Sequence, residues 1–275
     1  MAIISFWNNG ETRMGQSSNI AAIATYLGVN HNYKILILDT KFNDYFYQDC
    51  YWGVAGSSKV TKGSYVGIGE GIKGLSRAIL SNKISPEIVT NYTKIVFNEN
   101  RLEVLTDTGT SIEEYEMHKN IFNDIIKMAN RFYDLVFIDI DSNLGEDTTN
   151  TLLRNSDIII PCLSQNVRNI NKYVQEKPKM QSLEGKLILP IIGRCDPDSK
   201  LSTKNISKYI RAKKDILDIK YNTLFMDACN EGKVSDYFIK FRNVGKKDKN
   251  APFVYSVMNT ADKIISSLQE LQMRI

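Results

Sequence analysis

No apolar run in this sequence approaches the ~20 residues that a membrane-spanning helix needs, and the opening MAIISFWNNG lacks the basic start of a secretory signal. Neither a span nor an export leader is expected. Cysteine is scarce. Cys50, Cys162, Cys195 and Cys229 stand far apart with no C-x-x-C pair, which argues against a zinc site or a disulfide framework and fits a reducing cytoplasm. With only six prolines, no low-complexity tract and a hydrophobic share of 43%, little disorder is expected. Charge of one sign is missing too. The 35 basic and 31 acidic residues are spread too evenly to point by themselves to an acidic substrate or a nucleic-acid groove.

What is present is an order of elements. Ile3 to Trp7 is a short β-prone run, followed by the glycine-bearing stretch NNGETRMGQSSN at Asn8 to Asn19. Apolar residues then recur at helical spacing at Ile20, Ile23, Ala24 and Leu27, with Ser17 and Ser18 as start residues and Gly28 near the end. KILILDT at Lys34 to Thr40 and YDLVFIDID at Tyr133 to Asp141 are near-continuous apolar runs, as expected of parallel strands covered on both faces. DIIIP from Asp157 and KLILPIIG from Lys186 continue the series, with helices expected at about 111–131 and 165–177.

Between Tyr92 and Thr108 two short strands are expected around a polar turn at Asn98 to Asn100. Cys50 to Gly74 holds seven of the sixteen glycines and reads as a long surface loop. Val254 to Leu271 carries a helical apolar stripe. No repeat or composition shift marks a second unit, so one α/β domain over residues 1–275 is expected: a doubly wound, mainly parallel sheet with helices on both faces.

Ligands of such a sheet bind beyond the carboxyl ends of its strands. Gly10 and Gly15 have the spacing of a phosphate-binding loop, Ser17 fills the hydroxyl position, and Asp39 and Asp139 end two buried strands. Backbone N–H groups of a glycine loop cradle phosphate, while a serine hydroxyl and a strand-end aspartate hold Mg²⁺. The expected ligand-binding set is therefore Gly10, Glu11, Thr12, Arg13, Met14, Gly15, Gln16, Ser17 and Ser18, and the expected metal set is Ser17, Asp39 and Asp139.

Taken in order, these segments resemble the ParA/MinD group of deviant P-loop ATPases over nearly the whole chain. IISFWNNGETRMGQSSNIAAIATYLG is similar to that family's strand, K-G-G-x-G-K-[ST] loop and helix, and KILILDTKFND to its V-L-L-I-D-x-D segment. GLSRAIL and RLEVLTDT resemble the connecting features, YDLVFIDID the Walker B strand, NSDIIIPCLSQNVRNI the A-D-x-V-I-x-P strand and loop, and IIGRCDPDSK the V-x-N-R-x-D-P stretch. The resemblance implies ATP or ADP with Mg²⁺, a homodimer or protein partner, and Arg194 near the adenine base.

The departures bear on chemistry. Gln16 stands where the family lysine neutralises phosphate, Glu11 where a signature lysine reaches across the dimer, Lys41 where an aspartate positions water, and Gly193 precedes Arg194 in place of asparagine. A charge-assisted hydrogen bond of this kind is worth roughly 1.5–3 kcal/mol, so hydrolysis is expected to be weak or lost while binding is more forgiving. Solvent exposure is the expectation for Arg13 and Lys41, although either charge is near enough to reach a phosphate. The resemblance then implies a cytoplasmic positioning or scaffold protein, recruited to a membrane or cell pole with only peripheral membrane contact, by analogy with the pilus-assembly branch called TadZ or CpaE. The alternatives are a slow ATPase switch, or a DNA-associated partition protein using Lys240 to Lys249 or the basic 200–214 segment.

Overall fold

A computed structural model describes residues 1–10, 14–53, 71–81, 85–97, 101–107, 110–212, 214 and 216–273. Its strands are β1 (Ala2–Trp7), β2 (Ile35–Asp39), β3 (Lys94–Phe97), β4 (Leu102–Leu105), β5 (Leu135–Asp139), β6 (Ile158–Leu163), β7 (Leu187–Ile188), β8 (Ile191–Cys195) and β9 (Leu217–Lys220). They form one sheet in the order β3-β4-β2-β5-β1-β6-β8-β9, with β7 beside β6. β3 runs antiparallel to β4 and the other pairings are parallel.

The described helices are α1 (Gln16–Asn30), α2 (Phe46–Trp52), α3 (Gly71–Leu80), α4 (Ile112–Lys119), α5 (Phe122–Ala129), α6 (Glu146–Arg154), α7 (Val167–Glu176), α8 (Thr203–Tyr209), α9 (Thr223–Glu231), α10 (Val234–Lys240) and α11 (Ala251–Gln272). They cover both faces of the sheet, which is why its central strands read as unbroken apolar runs. Ile35, Ile37, Leu135 and Phe137 pack with Ile20, Ile23 and Leu27 of α1 and Val257 and Ile264 of α11. Their neighbours Leu36, Leu38, Val136 and Ile138 point the other way, onto Phe122, Ile125 and Ile126 of α5 and Leu152 and Leu153 of α6.

Several boundaries differ from the sequence reading, each for a local reason. The expected loop from Cys50 to Gly74 is bounded by structure: Cys50, Tyr51 and Trp52 close α2, and Gly71 to Gly74 open α3, while 54–70 lies outside the described residues. The helix expected over 111–131 is two helices. Ser111 and Glu114 form a reciprocal capping box that starts α4, and Ile121 N–H then bonds the carbonyl only three residues back, at His118, before α5 begins.

KLILPIIG is likewise two strands, β7 and β8. Pro190 has no N–H to continue the ladder, so the chain is carried across by Leu189 N–H to the Ile159 carbonyl. α1 closes at Asn30, near Gly28 as expected. A Cβ on Gly28 would come 2.7 Å from the Phe97 ring, so this glycine sits where β3 presses on the helix. The C-terminal helix opens three residues early, at Ala251. The turn at Asn98 to Asn100 lies outside the described residues.

Candidate functional site

Register brings the strand-end carboxylates together. Asp39 of β2 pairs with Asp139 of β5, and Asp139 also pairs with Phe6 of β1, so the loop leaving β1 begins beside both. Glu11, Thr12 and Arg13 lie outside the described residues; the rest of the stretch is described. Gly10 and Gly15 both have left-handed backbone, φ 81° and 73°, a conformation glycine adopts without steric cost. Gly15 is the N-cap of α1, and among the described residues no side chain caps that helix: Ser18 Oγ donates back to the Gly15 carbonyl.

Gln16, in the position expected to meet phosphate, is turned into the protein. Its Nε2 donates to Asp139 Oδ1 at 2.6 Å and to the Ile140 carbonyl at 2.9 Å, and lies 3.3 Å from the Phe6 carbonyl. Its Oε1 accepts from Asn8 Nδ2 at 2.8 Å. The side chain is 6% exposed, so both ends of the amide are committed inside the fold.

Lys41 corrects the expectation of solvent exposure. Its backbone N–H bonds Asp39 Oδ1 at 3.1 Å, turning the chain at the end of β2 so that the side chain folds back over the site. Nζ lies 2.5 Å from both Asp139 Oδ2 and Ser17 Oγ, with Asp44 Oδ2 at 3.6 Å and Asp39 Oδ1 at 3.8 Å. Burial on its own disfavours the charged ammonium, but the carboxylates of Asp139 and Asp39 outweigh it and raise the lysine above its ordinary value.

Tyr47, fully buried on α2, donates to Asp139 Oδ2 at 2.8 Å. Asp139 therefore accepts from Gln16 on one oxygen and from Lys41 and Tyr47 on the other. Asp39 is less well served, because Oδ2 has no hydrogen-bond partner among the described residues. Burial pushes its carboxyl well above the usual carboxylate range, against the pull of Lys41.

Two cations reach the loop from elsewhere. Lys172 of α7 donates to the Asn9 carbonyl and lies 3.5 Å from where a Cβ on Gly10 would stand. Arg194 has φ 50°, an uncommon backbone for a non-glycine residue, and its Cγ and Nε pass 3.4 Å from the equivalent point on Gly15. The structure thus places Arg194 against the loop at Gly15. Gly193 before it is needed for close approach, since a Cβ there would meet the Met14 carbonyl at 2.0 Å.

Asn169 of α7 completes the frame. Its Nδ2 bonds Asn9 Oδ1 at 3.0 Å and Met14 Sδ at 3.5 Å. Asn169, Lys172 and Tyr47 were not singled out from sequence. Asn169 and Lys172 share a turn of a correctly placed helix, three residues apart, but nothing in that spacing aims them at a loop 160 residues away.

No protein-family model matches the chain, and no curated protein matches it either. Solved structures do. A ParA family ATPase from Chlorobium tepidum TLS superposes with a TM-score of 0.69 at 16% identity, covering 94% of this chain and 97% of that one. The MinD cell division protein of Aquifex aeolicus gives 0.65 at 15% identity, with coverage of 97% and 98%. The chain has the ParA/MinD fold. A third likeness, at TM-score 0.64 and 16% identity over 96% of this chain and 97% of that one, is the septum site-determining protein MinD from Pyrococcus horikoshii OT3, solved with Mg-ADP. The ParA/MinD resemblance read from the loop and strand segments extends to the three-dimensional path of the chain. Among the described residues no helix is long and apolar enough to cross a membrane.

Proposed function

We propose that this chain is a ParA/MinD-like protein of the nucleotide-binding fold whose phosphate loop does not support hydrolysis, and that it acts as a positioning or scaffold protein through dimerisation or docking on a partner. The observation that carries the reading is the inward turn of Gln16 onto Asp139 and the Ile140 carbonyl. Phosphoryl transfer is catalysed chiefly by positioned positive charge, and at this position the chain offers a neutral amide already bonded elsewhere. Lys41, standing where the resemblance has a water-positioning aspartate, is held in an ion pair with Asp139. A docking partner is the proposed route to a membrane or cell pole, and pilus assembly, reached by analogy, is the setting to examine first.

The test is ATP turnover by the purified chain with Mg-ATP. Turnover indistinguishable from protein-free buffer is expected. A slow rate abolished by Ser17→Ala would favour the second reading, an ATPase switch. That reading has Lys172 and Arg194 on its side, because both bring positive charge to the loop.

A further inference from the structure

The sequence reading asks for a divalent cation among Ser17, Asp39 and Asp139, and the donor set does not fit one: of its oxygens on Ser17 and Asp139 none is idle, and only Asp39 Oδ2 lacks a hydrogen-bond partner among the described residues. Magnesium requires near-octahedral oxygen ligation at ~2.0–2.1 Å. Lys41 Nζ stands 2.5 Å from Ser17 Oγ and from Asp139 Oδ2, with Asp39 Oδ1 at 3.8 Å, so ion and ammonium exclude each other by distance and by charge. Asp139 has no oxygen left idle, with Gln16 on Oδ1 and Tyr47 beside Lys41 on Oδ2.

The ammonium is also fixed from several directions. The Lys41 backbone N–H is tied to Asp39, Nζ lies within 4 Å of both Asp39 and Asp44, and it passes 5.9 Å from the centre of the Tyr47 ring. Two strand ends, β2 and β5, and two helices, α1 and α2, therefore converge on one positive charge, contributed by the residue two positions beyond the end of β2.

We propose that Lys41 is a tethered cation in the place of a divalent metal, and that phosphate-bearing ligands of this loop bind without one. An ammonium has three N–H bonds. Two go to Ser17 and Asp139, and among the described residues the third has only the longer ion pairs to Asp39 and Asp44. The side chain is 20% exposed, so it is open to a phosphate oxygen arriving at the Ser17 hydroxyl. The loop thus takes di- or triphosphates as free anions. This rests on reading the stretch as a phosphate loop but not on whether hydrolysis has been lost.

The test is a Mn²⁺ titration of the full chain, followed by the electron paramagnetic resonance of the free ion, for wild type, Ser17→Ala and Lys41→Gln, each with and without ADP. Wild type is expected to show no Mn²⁺ site that Ser17→Ala removes, and Lys41→Gln to gain one at least about tenfold tighter than any wild-type binding. A wild-type site lost in Ser17→Ala overturns the proposal, as does a folded Lys41→Gln that gains nothing. Should Lys41→Gln fail to fold, the wild-type and Ser17→Ala titrations decide alone. ATP turnover without such a Mn²⁺ site overturns only the hydrolysis reading above, and a Mn²⁺ site without turnover overturns only this one.

Discussion

Lys41 Nζ lies 2.5 Å from Asp139 Oδ2, an ion pair in which the carboxylate side chain is fully buried and the lysine only partly exposed. Breaking a buried pair from one side leaves an uncompensated charge, which typically costs 3–5 kcal/mol. Lys41→Met is accordingly expected to lower the urea unfolding midpoint by an amount equivalent to about 3–5 kcal/mol. Adding Asp139→Asn to Lys41→Met should recover part of that loss, because the stranded charge is then gone. A double variant no more stable than Lys41→Met would mean that the pair contributes little.

On the proposed reading, a lysine placed at position 16 should not by itself produce hydrolysis. Gln16 Nε2 is 2.6 Å from Asp139, so the ammonium of Gln16→Lys arrives beside a carboxylate that already holds Lys41. Two cations then share one carboxylate. The expected outcome is a lower melting temperature and ATP turnover still at the buffer level; a measurable rate in this single variant would show that Gln16 alone had silenced the loop.

Gly193 is predicted to be a position where one methyl group matters. A Cβ there meets the Met14 carbonyl at 2.0 Å and Asn19 Nδ2 at 2.7 Å, so Gly193→Ala must push the loop away from β8. Overpacking of this kind costs typically ~1–3 kcal/mol. Gly245→Ala, where a Cβ meets nothing within 4 Å, is the matched control and should melt within error of wild type.

The fold was legible in the chain because two-sided burial writes itself as continuous apolar runs, and β2, β5 and β6 are runs of that kind. Asp39 and Asp139 could be placed at one edge for the same reason, since both end such strands. The direction in which side chains turn was not legible. Lys41 follows a strand end and carries a charge, so exposure is the ordinary expectation; only the nearby carboxylates of Asp139, Asp39 and Asp44 explain why it folds inward. Gln16 reads as a phosphate-facing donor until β5 supplies Asp139 and Ile140 as nearer acceptors. Tyr47 lay in a short helix with no periodic signal strong enough to single it out.

The four thiols are expected to report global unfolding. Cys50, Cys162, Cys195 and Cys229 are all buried, and burial, with a smaller contribution from Asp218, pushes the Cys195 thiol up to about 11. A thiol reagent at about pH 8, near the ordinary cysteine value, should label none of them in the native state and all of them in denaturant. Stoichiometric labelling of a native thiol would place that residue at a surface.

Asp39 carries the pH prediction. Its folded-state pKa is raised by burial, against the partial relief offered by Lys41, and its Oδ2 has no partner among the described residues. A carboxyl that holds its proton more tightly in the native than in the unfolded state contributes stability below its unfolded value of ~3.9 and loses it as pH rises toward the folded value. At neutral pH that contribution is reduced or absent. Asp39→Asn removes the titration but keeps a carbonyl oxygen for the Lys41 backbone N–H, the 3.1 Å bond that sets the turn. It gives up only the longer 3.8 Å attraction to the Lys41 ammonium, which retains Asp139. The variant should therefore be more stable than wild type at neutral pH, with the gap widening as pH is raised from about 4 through the folded value. Thermal melts of the two proteins across that interval measure it. Equal slopes, or a variant less stable at neutral pH, would mean that the attraction to Lys41 outweighs the cost of burying the carboxylate.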